Sequence, residues 1–442
     1  MTSSRTHRTR SGRARTARSL ALALLLPAAV LGTGAAAPAV AAEDAPPRLS
    51  LPDDVPRLDA DDPGAPAALP VGWSRAELGP SDGPGETLYF SYRRQVEGST
   101  VHVAASTPGS APGAEDGFRL EVTAPDGDSC ASDSIVRYEG GGIGLLTLGL
   151  AAGPGDPRED DPSAAPCAET TSVRVTVERS APVVEASSPL WLRVVEESPL
   201  SDADDLPSPE EEPETGPVDV DGAARELDGA TDVTTAPLLT TGIYRGTVRV
   251  GGQTAYRVRL GWGQSVAVEA VVDGLDEDAL EEAGAGAGIG VRILDPMLAQ
   301  RATTTDAVLG SDVTTARAAL PAVGYLQRYE AGGPSLPGEH VVLVGSAPGY
   351  DGEPTAYPVD VTLRVAVTGP ADAAGPPYAT EPAFLLGEDQ RADEVLLSPD
   401  GAGASVARLV TGGALLALGL GSLAGGAVLL RRRGRGQAVS SR

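Results

Sequence analysis

Apolar and polar residues alternate along many short segments of this chain, and that alternation is its main structural signal. Residues 173–177 read Val-Arg-Val-Thr-Val and residues 256–260 read Tyr-Arg-Val-Arg-Leu, the period of a strand with one buried face. Similar segments fall into two sets: Thr87–Arg93, Thr100–Ala105, Phe118–Thr123 and Ser172–Glu178, then Thr247–Val250, Ala255–Leu260, Ser265–Val272, Gly290–Leu294, Glu339–Gly345 and Val359–Val367. Gly and Pro separate nearly all of them. The pattern predicts an all-β protein built as two tandem β-sandwich domains.

Helical periodicity is almost absent, and its best candidate, Leu275–Ala283, is short and acidic and is interpreted as one helical turn or a loop. The N-terminus carries a different signal. Six arginines and no acid precede an apolar run, Leu20–Leu31, and small residues lead to Ala41 and Ala42. This is the pattern of a secretory signal peptide, cleaved after Ala41 or Ala42. The alternative is an uncleaved N-terminal anchor, although the run is shorter than the ~20 residues that span a bilayer.

The other end predicts a membrane anchor. Leu409–Leu430 carries no charge and is followed at once by the arginine-rich tail 431–442. Its length matches a transmembrane helix, and flanking positive charge stays in the cytoplasm. We therefore expect a single-pass cell-membrane protein with an extracellular ectodomain, a helix at 405–430 and a cytoplasmic C-terminus.

Composition narrows the class of partner. Twelve of the 34 basic residues lie in the two ends, which carry no acid, so the ectodomain keeps 22 arginines against 61 acids, a net charge of −39. Nucleic-acid binding needs the opposite charge, and so does lying on anionic lipid. The chain has no Lys and no Asn. This bias indicates a GC-rich genome and, with the signal and anchor, a Gram-positive actinobacterial source.

Two cysteines, Cys130 and Cys167, lie in the exported part. An even count in an oxidising compartment favours a disulfide between them. The alternative, a metal site, would need histidine neighbours that the sequence does not place beside them.

Composition also divides the ectodomain. Residues 201–217 read SDADDLPSPEEEPETGP, which offers too little apolar surface to fold alone. The predicted organisation is a signal peptide at 1–42, a disordered N-terminal segment at 43–70, a first β-sandwich at 71–200, an acidic Pro-rich linker at 201–235, a second β-sandwich at 236–368, a disordered stalk at 369–404, the transmembrane helix at 405–430 and the basic tail at 431–442.

The two halves read as repeats of one unit. Residues 86–93 match 253–260, 97–103 match 262–268, and 118–127 match 291–296. Arg137-Tyr138-Glu139 is paired with Arg328-Tyr329-Glu330, and each half closes with an alternating strand. Convergent strand composition is the alternative to a duplication.

Three motifs in the second half carry a resemblance to a known family: Tyr-x-Val-x-Leu at 256–260, Gly-Gln before Ser-Val-x-Val at 263–268, and Val-x-Ile-x-Asp-Pro at 291–296. Together they resemble the bacterial pre-peptidase C-terminal domain, a small jelly-roll β-sandwich attached to exported proteins. The resemblance covers Gly242–Thr368 and, more weakly, Gly72–Arg179, where Glu97-Gly98 replaces the Gly-Gln turn. It implies an accessory or binding role. The loops Pro125-Asp126-Gly127 and Asp295-Pro296 are plain turns or, alternatively, calcium loops.

No arrangement of residues predicts catalysis. His7 leaves with the signal peptide, and His102 and His340 lie in predicted strands without triad or metal partners. No nucleophile elbow or phosphate-binding loop is found; Gly263–Ala267 comes nearest to an elbow. We predict no catalytic, cofactor-binding or metal residue, and expect a non-enzymatic surface protein that binds a partner protein or envelope component. The alternatives are an accessory subunit of a membrane transport, secretion or protease complex, and a hydrolase with an unrecognised site.

Overall fold

The computed structural model describes residues 49–386, apart from 52–53, 110–114, 138–143, 181–183, 185, 212, 214–215, 305–306, 331–332, 348, 350–356 and 371–372. The predicted signal peptide, transmembrane helix and tail lie outside these residues. Within the part that is described, no helix has the length and apolar character needed to cross a membrane.

The described residues form strands almost throughout, which confirms the all-β prediction. The first half contains β1 (Ala67–Ala68), β2 (Gly72–Leu78), β3 (Thr87–Arg93), β4 (Thr100–Pro108), β5 (Asp116–Thr123), β6 (Ser129–Arg137), β7 (Leu145–Ala152), β8 (Ser172–Arg179) and β9 (Ser188–Glu197). The second contains β10 (Arg225–Glu226), β11 (Leu238–Leu239), β12 (Gly242–Arg249), β13 (Gln253–Leu260), β14 (Ser265–Val272), β15 (Gly288–Leu294), β16 (Gln300–Thr303), β17 (Ala307–Val308), β18 (Thr314–Leu320), β19 (Gly338–Ala347), β20 (Pro358–Thr368) and β21 (Phe384–Leu385). Helix α1 (Glu277–Ala283) and two 3-10 helices (Pro162–Ala164 and Tyr325–Tyr329) complete the described elements.

Each half is a sandwich of two sheets with the same strand order. In the first, one sheet runs β2-β9-β4-β7 and the other β1-β3-β8-β5-β6. In the second, the corresponding sheets run β12-β20-β14-β18, with β10 at the edge, and β13-β19-β15-β16, with β11 at the edge. In both halves the chain passes from sheet to sheet in the order of a jelly roll. The shared topology agrees with a duplication.

The topology also corrects part of the repeat alignment. The first three matches hold, because β3, β4 and β5 correspond to β13, β14 and β15. The fourth is wrong, since Arg137 ends β6 whereas Arg328 lies between β18 and β19, a connection that corresponds to β7–β8. The closing strands are also mismatched, because β8 corresponds to β19 and not to β20. Alternation is common to all one-sided strands, so it cannot tell one strand from its neighbour.

Alternating burial along the strands builds each core. In β8, Val173, Val175 and Val177 are fully buried while Arg174 and Glu178 are exposed. The same pattern runs along β20. The period-2 apolar pattern therefore fixes which face of each strand points inward.

Three segments predicted to be free of the sandwiches contain residues that pack against them. From 43–70, β1 pairs with β3, and Ala60 is buried in the first core. From 201–235, β10 pairs with β12, and Val218 is buried. From 369–404, residues 373–386 return to β9; we call them the C-terminal strap. Composition averaged over a window hides single apolar residues, and sheet edges offer backbone partners that no local pattern reveals.

Candidate functional site

The two jelly rolls pack face to face through one sheet of each. Sheet β2-β9-β4-β7 contributes Trp73 and Leu145, and sheet β13-β19-β15 contributes Leu294, Val341 and Leu343, to a single buried apolar cluster. The result is a stack of four sheets whose two middle sheets meet at what we call the junction. Both jelly rolls belong to one compact unit.

Polar contacts fix the register of the junction. Thr147 Oγ1 donates to the carbonyl of Leu298 at 2.6 Å. Arg193 lies over the Trp73 ring, 5.3 Å from its centroid, and donates to the Pro296 carbonyl. Gly149 allows close approach, because a Cβ there would lie 2.7 Å from the Cβ of Ala299. The two sheets therefore pack at the junction with the close fit of a protein interior.

Two adjacent carboxylates end β9, and both are fully buried. Because successive side chains of a strand point to opposite faces, they serve different sides of the sheet. Glu196 accepts from the hydroxyls of Tyr92 and Ser99, at 2.5 and 2.6 Å, and from the backbone amides of Gln95 and Val96. It thereby holds the β3–β4 connection.

Glu197 faces the junction and joins three separate parts of the chain. His102 Nε2 on β4 lies 2.7 Å from Oε2. Arg328, from the second jelly roll, donates through Nη1 and Nη2 at 2.7 and 2.9 Å. The hydroxyl of Tyr378, from the C-terminal strap, donates to Oε1 at 2.8 Å. We call these four residues the Glu197 cluster.

The electrostatics of the Glu197 cluster favour a permanently charged pair. Burial by itself raises the pKa of Glu197, but the charge of Arg328 and the hydrogen bonds from His102 and Arg328 outweigh it and lower that pKa to about 2. Burial lowers the pKa of Arg328, and the charge of Glu197 more than reverses this. Burial and the nearby carboxylate both raise the pKa of Tyr378. The carboxylate is therefore ionised and the phenol neutral at physiological pH.

The predicted disulfide forms and supports the same region. Cys130 on β6 is bonded to Cys167 in the β7–β8 connection, with Cα atoms 5.5 Å apart. That connection touches the second jelly roll, since the Tyr329 hydroxyl donates to the Pro154 carbonyl at 3.4 Å and Arg158 pairs with Glu330 at 3.1 Å. The disulfide thus ties a junction-forming loop to a strand.

His102 and His340, the two histidines among the described residues, lie in different jelly rolls. His102 belongs to the Glu197 cluster. His340, on β19 in the second jelly roll, is completely buried; its Nδ1 lies 3.3 Å from the Gly338 carbonyl, and no hydrogen-bond partner for its Nε2 is found among the described residues. Burial lowers its pKa to about 4, despite the opposing charge of Asp295.

Asp295 is a turn residue in the structure. Its carboxylate accepts from the amides of Met297 and Ala299, at 2.8 and 2.9 Å, and from Arg301 Nε at 2.7 Å. These donors occupy the oxygens that a calcium ion would need. Of the alternatives left open for the Asp295-Pro296 loop, the plain turn fits.

Sequence reasoning missed Glu196, Glu197 and Arg328. Two acids close the apolar strand Trp-Leu-Arg-Val-Val-Glu-Glu at 191–197. This pattern could have indicated a site with paired charges, because buried carboxylates are rarely left unpaired. Their partners could not be found in this way, since Arg328 and Tyr378 are 131 and 181 residues away from Glu197.

Comparisons with known proteins add little to this description. No family model matches the sequence, and no curated protein matches it. Among solved structures, a Parabacteroides distasonis protein aligns at 8% identity and TM-score 0.17, over 67% of this chain and 89% of that one. The tandem CBM22 domains of Paenibacillus barcinonensis Xyn10C align at 13% and 0.17, over 64% and 82%. The human MASP-1/3 CUB1-EGF-CUB2 fragment aligns at 10% and 0.14, over 66% and 99%. Likenesses of this size carry no argument about function.

Proposed function

We propose that this chain is a non-catalytic cell-surface protein, held in the membrane by a helix at 405–430, whose β-sandwich ectodomain binds a partner protein or a component of the cell envelope. The observation that supports it most is the Glu197 cluster. Its charged groups satisfy one another and hold two jelly rolls and the C-terminal strap as one body. A rigid scaffold of this kind suits the presentation of a binding surface.

The sequence supports the location. A basic start, an apolar run and small residues at 39–42 favour export, and an uncharged run of membrane length before an arginine cluster favours anchoring with the ectodomain outside. The resemblance to the pre-peptidase C-terminal domain supports an accessory role. The strong negative charge favours a basic or neutral partner over a polyanion.

Two experiments test the proposal. For topology, the membranes of expressing cells are extracted with alkaline carbonate, and intact cells are treated with protease. We expect the chain to resist extraction and the ectodomain to be digested from outside. Release by carbonate, or full protection from protease, would overturn the anchored topology.

For binding, the full-length protein is compared with a secreted form ending at Leu386, a boundary that keeps the C-terminal strap. Both are crosslinked in living cells, purified under denaturing conditions and analysed by mass spectrometry. A partner or wall polymer crosslinked to both forms supports a binding ectodomain. A partner that requires the helix supports the alternative, an accessory subunit of a membrane transport, secretion or protease complex. No crosslink to either form contradicts both.

A further inference from the structure

The outer sheet of the second jelly roll, β12-β20-β14-β18, is covered at its centre by its own chain. The Val218 amide, from the segment before β10, donates to Glu269 on β14 at 3.4 Å, and both residues are buried. Arg317 and Arg364, on the two neighbouring strands, pair with the same carboxylate at 2.5 and 3.5 Å. The charged groups at the centre of this sheet therefore satisfy one another.

The outer sheet of the first jelly roll is open. The N-terminal segment lies beside this sheet, since β1 and the Ala60 carbonyl pair with the edge strand β3. Every outward residue of β3, β8 and β5 is exposed or half-buried. We call the outward side of β3, β8, β5 and β6 the hydroxyl face, because hydroxyl side chains dominate it. They include Thr87, Tyr89, Ser91, Thr123, Ser132 and Thr176.

The polar groups of the hydroxyl face are available to a ligand. Tyr89, Thr176, Glu121 and Ser132 lie side by side on four adjacent strands, a row about 15 Å long. The one ion pair found on this face among the described residues joins Arg119 to Glu121 at 3.6 Å. The hydroxyls of Tyr89 and Thr176 have no hydrogen-bond partner in the described part of the chain.

The charge of the hydroxyl face differs from that of the rest of the ectodomain. Its three arginines and two glutamates give it a net charge of +1, whereas the whole ectodomain carries −39. A polyanion would be repelled by the surrounding charge, and a strongly basic ligand would find little attraction on this face. The face therefore suits an uncharged ligand. The charged residues concerned are Arg93, Arg119, Arg174, Glu121 and Glu178.

The second jelly roll shows what a protein contact on the equivalent sheet requires. Sheet β13-β19-β15, which corresponds to β3-β8-β5, places Ala255, Leu294, Val341 and Leu343 in the junction. On the hydroxyl face, Val136 at 39% exposure is the one exposed large aliphatic side chain among the described residues. A stable protein interface needs an apolar centre, and this face does not supply one.

We propose that the hydroxyl face binds an uncharged polysaccharide of the cell envelope. This assignment rests on the proposed function, because it names the ligand class of the same ectodomain. Sugar hydroxyls both donate and accept hydrogen bonds, and so do the Ser and Thr side chains of this face. Arg174 adds a planar group of donors, and the ring of Tyr89 offers a sugar ring an apolar surface beside a polar hydroxyl.

The test measures binding to envelope polysaccharide. The envelope of the source bacterium is freed of protein and lipid, and its polysaccharides are separated by anion exchange into an uncharged and an anionic fraction. Each fraction is immobilised, and binding of the full-length protein in detergent is followed by biolayer interferometry. Tyr89→Ala and Arg174→Ala remove a ring and a guanidinium group from the hydroxyl face. Arg245→Ala, at an exposed position on the outer sheet of the second jelly roll, is the matched control.

We expect the uncharged fraction to bind, and each hydroxyl-face variant to raise the apparent Kd about tenfold, whereas Arg245→Ala should change it little. A urea titration checks the folding of every variant, and the exposed Arg174 keeps the test decisive if Tyr89→Ala is destabilised.

Binding that neither hydroxyl-face variant weakens overturns the assignment and leaves a binding ectodomain in place, as does binding of the anionic fraction alone. If neither fraction binds and the crosslinking experiment finds a protein partner, the assignment fails and the proposed function holds. If neither fraction binds and no crosslink forms, both fail.

Discussion

Replacing Glu197 by Gln is the sharpest perturbation of the junction. The amide has nearly the shape of the carboxylate, so packing is retained while the negative charge is lost. The side chain of Arg328 is only 6% exposed, and the substitution leaves its charge buried without a counter-ion. The hydrogen bonds from His102 and Tyr378 lose their charged acceptor.

Breaking a buried ion pair by removing one partner typically costs 3–5 kcal/mol. The lowered pKa of Glu197 has the same sign, because the folded state favours the charged form of this carboxyl over the neutral form. We therefore expect Glu197→Gln to lower the free energy of unfolding by about 3 kcal/mol at pH 7.

The sign of the pH dependence follows from the lowered pKa. The contribution of Glu197 is complete above pH 4.5 and is lost as the pH falls towards 2. Urea unfolding of the ectodomain is followed by tryptophan fluorescence. Over this pH range the free energy of unfolding of the wild type should fall, and that of the Gln variant should not show this fall. Glu178→Gln, an exposed carboxylate on β8, is the matched control and should change stability by less than about 0.5 kcal/mol.

A double-mutant cycle isolates the pair. Glu197→Leu and Arg328→Met, made singly, should each cost about as much as Glu197→Gln, because each leaves the opposite charge buried. The double variant Glu197→Leu/Arg328→Met should recover most of the lost stability. Replacing a buried ion pair by an apolar pair of similar volume often leaves the free energy of unfolding unchanged. If each single variant stays within 1 kcal/mol of the wild type and the coupling is near zero, the cluster does not hold the junction.

The other predictions concern His340, the disulfide and the C-terminal strap. Burial lowers the pKa of His340 to about 4, against 6.5 in the unfolded chain, so unfolding takes up a proton below pH 6.5. The free energy of unfolding of the wild type should therefore fall by about 2 kcal/mol between pH 7.5 and pH 5. His340→Leu should lack that slope in urea titrations, and an unchanged slope would refute the assignment. Replacing Cys130 and Cys167 by Ser should lower the free energy of unfolding by roughly 3–4 kcal/mol in the same assay. If reduction of the disulfide leaves the stability of the wild type unchanged, this prediction is wrong. Phe384→Ala should release the strap locally, raising hydrogen exchange at the Ser198 amide at least tenfold while β19 amides keep their protection; equal loss at both would show that the strap is no separate unit.

Local pattern determined much of the fold. Strand alternation requires only that one face of a strand is buried, so the segments around Val173–Val177 and Tyr256–Leu260 could be assigned to strands without a structure. The disulfide between Cys130 and Cys167 followed from an even cysteine count and predicted export. Internal similarity placed β3, β4 and β5 opposite their counterparts, because the residue types of these strands occur in the same order in both halves although the connections between them differ in length.

The sequence by itself did not determine how the strands and segments are joined in space. Alternation is the same in every half-buried strand, so the later strands of the repeat were misaligned until their pairing was known. The same limit hid the packing of 201–235 and of the strap, where one buried residue such as Val218 or Phe384 outweighs a polar neighbourhood. Only the tertiary structure brings Glu197, Arg328 and Tyr378 together, because a buried charge is stabilised by whichever opposite charge the fold places beside it, at any distance along the chain.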